Sequence, residues 1–400
     1  MPLAPGRYEN WHQWQSVVYG ADALASLGAE LDRVGARRVL VVTTPSLVRE
    51  ARVLARVREA LGARDAGLFG VCRQYVPRSA VMAAAQALRA QRPDLLLSLG
   101  GGSVVDTAKA AALVHAEGLE HADELDAYRA VLASGSLRTP SLARDPLPIF
   151  AFPTTLSGAE YTGMIGITNE KSGQREPFRD DRLSPATVFL DPRVAAATPD
   201  RLWAATGIKS LCDAFEQYSA GSAGPVMEPL TLRAFEWLIR HLPASLEGDL
   251  DARLRCQVAS WLTLYGVFNA GTRVGIGAAI RHQLGMLHQI PHGEATCGIL
   301  AEVVRRSAPS DPERLQALVR AARATPGAED ETAARNALAD ALLALLARLG
   351  LPSNLAALGL EQPDLDPLAV RVAGDFAAKA RTARVWSVDE LRALLGSALR

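Results

Sequence analysis

The stretch "DLLLSLGGGSVVDTAKAAALVHA", residues 94–116, decides how the first half of this chain folds. Positions 95–99 are almost continuously apolar, the pattern of a strand covered on both faces in a parallel sheet. Helical periodicity begins at Ser103 and runs to about Ala116. Between them stand three consecutive glycines, 100–102, which permit a sharp turn and let a ligand approach without a Cβ in the way. The first amides of a helix lack intrahelical partners and sit at its positive dipole end, so they suit a phosphate. Ser103 reads as the N-cap of this helix, with Asp106 three positions on as a capping-box acid. Gly101, Gly102, Ser103 and Asp106 are therefore candidate nucleotide-binding residues.

The flanking sequence repeats the alternation. "RRVLVVTT" (37–44) reads as a strand ended by Pro45, "SAVMAAAQALRAQRP" (79–93) as a helix, and "LPIFAFPTT" (147–155) and "ATVFLDP" (186–192) as further strands. Strands alternating with helices predict a parallel sheet with helices on both sides. The polar stretch 117–146 reads as an irregular surface connection. "FPTTLSGAE" (152–160) places Thr154, Thr155 and Ser157 at a strand's carboxyl end, where small hydroxyl residues suit a cofactor's phosphate or nicotinamide ribose. From about residue 195 the periodicity turns helical throughout, as in "ATGIKSLCDAFEQYSAG" and "ETAARNALADALLALLARLG". The expected organisation is an α/β dinucleotide-binding domain over 1–192 and an all-α substrate and catalytic domain over 193–400. Clefts between such domains commonly hold ligands.

Composition narrows the function classes. A chain of 400 residues, 49% hydrophobic and 22% charged, has the apolar mass for two ordinary cores. A net charge of zero gives no footprint for nucleic acid. No apolar run reaches the roughly 18 residues of a membrane span. The start, "MPLAPGRYENWHQW", lacks the pattern of a signal peptide. Cys72, Cys212, Cys256 and Cys297 form no CxxC pair, as expected of reduced thiols in a cytoplasmic protein. Lysine is scarce beside arginine, occurring only at Lys109, Lys171, Lys209 and Lys379. A lysine here is thus more often kept for its own chemistry.

In order, "GGGSVVDTAK", "PTTLSGAE", "LDP", a "TG-x-x-x-L-x-x-A-x-E" helix (206–216) and "HQLG…PHGEA" (282–295) resemble the iron-containing alcohol dehydrogenase superfamily. The resemblance spans about residues 18–305 and is nearest to the maleylacetate reductase-like branch. In that branch the segment after the PTT motif ends in a pattern that "GQREPFRDDRLSP" (173–185) matches with Arg175, Arg179 and Pro185. The resemblance implies a Rossmann-like first domain, a helical second domain, a dehydroquinate synthase-like architecture and NAD or NADP in the cleft. It also implies hydride transfer between nicotinamide and a ketone or alcohol, a small-molecule substrate carrying a carboxylate held by Arg175 and Arg179, and a homodimer. Thr44 falls where members preferring NAD often carry an acid for the ribose.

The same resemblance implies a divalent ion held by an Asp and a His four residues apart on one helix, then by two further His residues. Here those positions carry Lys209, Asp213, Ala278 and His292. A residual site could use Asp213 and His292 with His282 or His288, but an ammonium beside it would repel the ion. The expectation is a metal-independent enzyme in which Lys209, held by Asp213 at i+4, stabilises charge on the substrate oxygen. The resemblance places His282 beside the substrate, where an imidazole suits proton relay. His288 reads as a loop histidine. His12, His115, His121 and His241 read as solvated or structural, and Cys297 as a packing thiol. Two rivals stand: a metal-dependent lyase or cyclase of the dehydroquinate synthase type, and a non-catalytic nucleotide-binding member.

Overall fold

The protein is described from a computed structural model covering residues 6–10, 15–133, 136–220, 224–269, 275–324, 330–375 and 384–400; His12 and Lys379 lie outside these described residues. The chain divides into two compact units, Met1–Thr198 and Pro199–Arg400.

The first unit is built on strands β1 (Gly6–Asn10), β2 (Gln15–Tyr19), β3 (Val39–Val42), β4 (Asp65–Phe69), β5 (Leu95–Gly100), β8 (Ile149–Pro153) and β11 (Thr187–Leu190), with hairpins β6 (Val131–Ala133) with β7 (Ser136–Arg138) and β9 (Met164–Asn169) with β10 (Gln174–Arg179). The seven-stranded sheet runs β1-β2-β11-β8-β5-β3-β4 and is parallel except for β1 against β2. Helices α1 (Leu27–Arg33), α2 (Pro45–Glu50), α3 (Arg52–Leu61), α4 (Arg78–Gln91), α5 (Gly102–Glu117) and α6 (Pro192–Ala195) complete the unit. Alternate residues of β3 explain its unbroken apolar run. Val39 and Val41 join Leu27, Leu31 and Val57 on one face, and Leu40 and Val42 join Val81, Leu88 and Ala111 on the other.

This strand order sets up a ligand site. The chain goes from β3 outward to β4, then crosses back to β5 on the opposite side of β3. In open α/β sheets the crevice at such a reversal, beyond the carboxyl ends of the strands, is where ligands bind. Thr43 Oγ1 donates to the Leu99 carbonyl at 2.7 Å and ties the two strands together at that end.

One expectation needs correction. The stretch 117–146 is not an irregular connection: it carries a 3-10 helix, Ala122–Tyr128, and the β6–β7 hairpin. His121 and Glu124 form a reciprocal capping box that starts the helix. The first compact unit takes in residues up to Thr198. Asp191 holds this extension, accepting from Arg193 N at 2.8 Å and Leu24 N at 3.0 Å, and Thr198 Oγ1 donates to the Thr154 carbonyl at 2.5 Å.

The second unit shows no strand among the described residues. Its helices are α7 (Asp200–Ser219), α8 (Gly224–Leu246), α9 (Leu250–Asn269), α10 (Ile276–His288), α11 (His292–Ser307), α12 (Pro312–Ala321), α13 (Glu331–Arg348), α14 (Leu365–Gly374) and α15 (Val388–Ala398). The central helix is α7, packed by α8, α9, α10 and α11. It holds Trp203, whose indole N–H donates to Ser245 Oγ at 2.9 Å under the Arg253 guanidinium, 4.3 Å from the ring centroid. The corner from α10 to α11 is tight: Gln289 adopts the left-handed conformation at φ 55° and Pro291 caps α11. At Gly293 a Cβ would lie 2.8 Å from the Ala205 carbonyl, so glycine lets α11 close on α7.

Phe152 and Phe189 stack in the sheet core, centroids 4.5 Å apart and planes within 9°. Truncating a buried phenylalanine opens a cavity, so Phe189→Ala should lower unfolding free energy by about 3–5 kcal/mol. Guanidinium unfolding measures this; a loss below about 1 kcal/mol would show that this face is not packed as described.

Candidate active site

The glycine-rich turn and the PTT segment lie side by side, because β5 and β8 are hydrogen-bonded neighbours with Gly100 opposite Pro153. Thr154 N donates to the Gly100 carbonyl at 3.0 Å. A Cβ at Gly101 would lie 2.9 Å from Thr155 Cγ2, and one at Gly102 would lie 3.0 Å from Ser157 Oγ. The neighbouring loop thus leaves little room for a side chain at either glycine.

The cap of α5 differs from the expected one. Gly101, extended at φ −83° and ψ −172°, is the N-cap, and its carbonyl accepts from Val104 N and Val105 N. Ser103 is already inside the first turn, and no side chain caps the helix. Asp106 lies past the capping turn. It accepts from Gly166 N and pairs with Lys109 at 3.7 Å and Arg175 at 3.3 Å. Its work is inside the unit rather than at the helix start.

Lys109, fully buried, reaches from α5 to the segment after the PTT motif, donating to the Ala159 carbonyl at 2.6 Å and the Met164 carbonyl at 3.1 Å. Burial pulls its pKa below the ordinary lysine value, against the pull of Asp106 and Glu160. Thr44 caps α2 through Leu47 N and contacts Ser46 Oγ at 2.8 Å. Arg175 and Arg179 both lie on β10. The first is engaged by Asp106 and the second by Asp181 at 3.1 Å. These guanidinium groups are therefore matched by carboxylates of their own unit.

In the second unit Asp213 is 2% exposed and gripped from both sides. Lys209 Nζ lies 2.8 Å from its Oδ2, one helical turn away, and Arg281 Nη2 of α10 lies 2.5 Å from its Oδ1. Burial alone would raise the Asp213 carboxyl, but Arg281 and Lys209 outweigh it and hold it below the usual range. One turn further along α7, Glu216 is also buried and accepts from Gly277 N at 2.7 Å. Burial pushes its pKa up to about 7, with Arg281 and the Gly277 amide opposing. The cluster therefore carries one net positive charge when Glu216 is neutral. Glycine at 275 is required here, since a Cβ would lie 2.2 Å from Glu216 Oε1.

His282 and His292 face each other edge to face, centroids 6.4 Å apart. A Cβ at Gly285 would lie 3.1 Å from the His292 ring, so this glycine admits the ring against α10. His282 Nδ1 lies 2.8 Å from Asp375 Oδ2 at the C-cap of α14. His288 ends α10 and Ala278 presents only a methyl group. Among the described residues no group of three or more His, Cys, Asp or Glu side chains is placed to hold an ion. Cys297 is buried, which raises its thiol pKa well above normal.

Sequence models of the iron-containing alcohol dehydrogenase family match residues 15–192, and those of its C-terminal domain match 203–399. The chain belongs to this family of oxidoreductases. It is 31% identical to maleylacetate reductase 2 of Cupriavidus pinatubonensis over 82% of this chain and 81% of that protein. It is 29% identical to lactaldehyde reductase of Escherichia coli, covering 89% and 90%. The crystal structure of maleylacetate reductase from a Rhizobium species superposes with a TM-score of 0.73 at 25% identity, covering 96% and 95%.

Sequence reasoning missed Arg281, Asp375, Lys109 and Glu216. Arg281 adjoins His282, and a charged residue within the mostly apolar helical run 276–284 was the available signal. Asp375 had none, because its partner is far away in the chain.

Glu216 sets a pH test. Its folded pKa is raised above the ordinary 4.5, so the stability it allows is fully present below about 4.5 and falls as pH rises through about 7. Glu216→Gln should therefore raise the thermal midpoint over wild type more at pH 8 than at pH 5. A pH-independent difference would show that this carboxyl is not raised.

Proposed function

We propose that this enzyme is an NAD(P)-dependent oxidoreductase that interconverts a ketone and an alcohol on a carboxylate-bearing substrate, and that it does so without a metal ion. The observation that carries the metal-free reading is Asp213 held between Lys209 and Arg281. In the family resemblance those helix positions belong to ligands of a dication. Both Asp213 oxygens already face cations, a charged ammonium has no lone pair to give, and Ala278 has no donor. That donor set does not fit a divalent ion, and only His292 remains of the expected four.

The nucleotide does fit. The N-terminal turn of α5 has a glycine N-cap and no side-chain hydrogen bond capping it, which suits a pyrophosphate at Gly101, Gly102 and Ser103. Thr154, Thr155 and Ser157 stand on the adjacent strand's loop and would serve the nicotinamide ribose. Thr44, at the carboxyl end of β3, carries no charge to repel a 2′-phosphate, so the reading covers NAD and NADP. The bound nucleotide supplies a hydride at its nicotinamide C4.

Lys209 would hold the substrate oxygen as negative charge develops there, an electrostatic role in which an ammonium can donate in three directions. Arg281, fixed by Asp213, adds the second positive charge. Its Nη1 is buried without a hydrogen-bond partner, which suits a nearby acceptor. His282 would pass the proton. The carboxylate preference is supported by the net positive charge this cluster carries when Glu216 is neutral and by the maleylacetate reductases among the relatives. Arg175 and Arg179 support it less, since Asp106 and Asp181 engage them. The reading includes a cytoplasmic homodimer; the buried free thiols at Cys72, Cys212, Cys256 and Cys297 suit a reducing compartment.

Three outcomes test the reading. Protein produced with iron and zinc and purified without chelators should carry less than stoichiometric metal by mass spectrometry, and EDTA should leave NADH- or NADPH-dependent reduction of a keto acid unchanged. A stoichiometric, EDTA-sensitive ion would restore Asp213 and His292 as ligands. Lys209→Met should lower kcat about 10²- to 10³-fold while NAD(P)H still binds; an unaltered kcat rules out its role. Gly101→Ala should raise the Kd for NADH or NADPH roughly tenfold or more, because the new methyl group crowds Thr155. Fluorescence titration reads this directly, and unchanged affinity would move the pyrophosphate elsewhere.

A further inference from the structure

We propose that Asp375 is a positioning residue for His282, forming an aspartate–histidine pair that fixes which imidazole nitrogen faces the reaction. This rests on the proposed relay role of His282. Asp375 ends α14, where its amide donates to the Val372 carbonyl at 3.0 Å, so its main chain is anchored at the helix end. Its side chain is 4% exposed, whereas that of His282 is 40% exposed. The carboxylate is thus the buried member and the imidazole the accessible one.

The hydrogen bonds define the tautomer. Asp375 Oδ2 accepts from the Gln283 side-chain amide and lies 2.8 Å from His282 Nδ1. An ionised carboxylate can only accept, so the proton between them belongs to Nδ1. In the neutral ring Nε2 then carries the lone pair, and in the cationic ring it carries the transferable proton. Gln283, the next residue on α10, braces the same oxygen, so two consecutive side chains of α10 meet the carboxylate at the end of α14.

In the reduction direction the carbonyl carbon gains a hydride and the C=O π pair moves onto oxygen. His282 Nε2 then delivers its proton to that oxygen. The ring is left neutral, with Nδ1–H still on Asp375. In the oxidation direction Nε2 takes the alcohol proton as the hydride leaves carbon. In both directions Asp375 stabilises the imidazolium and keeps Nδ1 turned away from the substrate, so that Nε2 is the nitrogen that exchanges the proton. Without it the neutral ring would sample both tautomers, and only one is competent.

The test separates orientation from folding. Asp375→Asn should lower kcat about 10- to 100-fold, with KM for the keto acid and Kd for NADPH within about threefold of wild type. Asp375→Glu should recover part of the loss. With ¹⁵N-histidine labelling, neutral His282 of the wild-type enzyme should show the Nδ1–H tautomer, and Asp375→Asn should shift it towards Nε2–H. If Asp375→Asn does not fold, the wild-type spectrum and the Asp375→Glu kinetics still decide. A wild-type ring protonated mainly on Nε2, or an unchanged kcat in Asp375→Asn alongside a large loss in His282→Asn, overturns the inference alone. An unchanged kcat in His282→Asn overturns the relay reading and the inference with it.

Discussion

A buried carboxylate cannot stay ionised alone. Moving it out of water costs several kcal/mol even after relaxation, and only well-placed opposite charge and hydrogen bonds return that cost. Asp213 is in this position, and the helical unit is arranged around its need. Lys209 comes from the same helix at i+4 and Arg281 from α10, so the carboxylate binds two helices through two different cations. The close approach has further requirements. Glycines at 275 and 277 make room for Glu216 beneath α10, and Gly293 lets α11 lie against Ala205. Removing either cation would leave the other paired but Asp213 only half matched.

The sheet unit answers a different requirement. Strands apolar on both faces must be covered on both, which places α1 and α3 on one side and α4 and α5 on the other. That layering brings the turns after β5 and β8 together at one end. There the space between them is so small that side chains are excluded at Gly101 and Gly102, while Thr155 and Ser157 form the opposite wall. Lys109 supplies the stiffness. Its buried ammonium holds two backbone carbonyls of the loop that follows, so the helix and the loop it faces cannot move independently.

How much of this was legible depended on the range of the interactions. The β5 strand, the triple glycine and α5 follow from local periodicity, and so does the i+4 pairing of Lys209 with Asp213. Arg281 and Asp375 did not, because each meets its partner across the unit rather than along one helix. The cap of α5 was misplaced by two residues because an extended glycine can act as N-cap with its carbonyl alone, while Ser103 offered the more familiar side chain. The β9–β10 hairpin escaped notice because its polar residues follow no strict alternation, although Ile165, Ile167 and Phe178 enter the core. The role of Lys109 was hidden because a lysine in a helical pattern ordinarily faces solvent.

On the proposed reading, the exchange of an ion for side chains would have a chemical consequence. A divalent ion brings two charges to the substrate oxygen and needs no covalent tether, whereas an ammonium brings one and is already partly compensated by Asp213. Arg281 would restore the balance, because two cations against the Asp213 carboxylate leave a single positive charge while Glu216 is neutral, in a buried, low-dielectric setting where it acts strongly. Unlike an ion, these groups cannot dissociate, so their field is present before substrate arrives and needs little reorganisation. A weaker electrophile leaves more charge on the oxygen, and proton delivery then matters more to the barrier. Under that chemistry a histidine held in one tautomer by a buried aspartate is the natural complement to a fixed pair of cations, and the two features belong to a single solution.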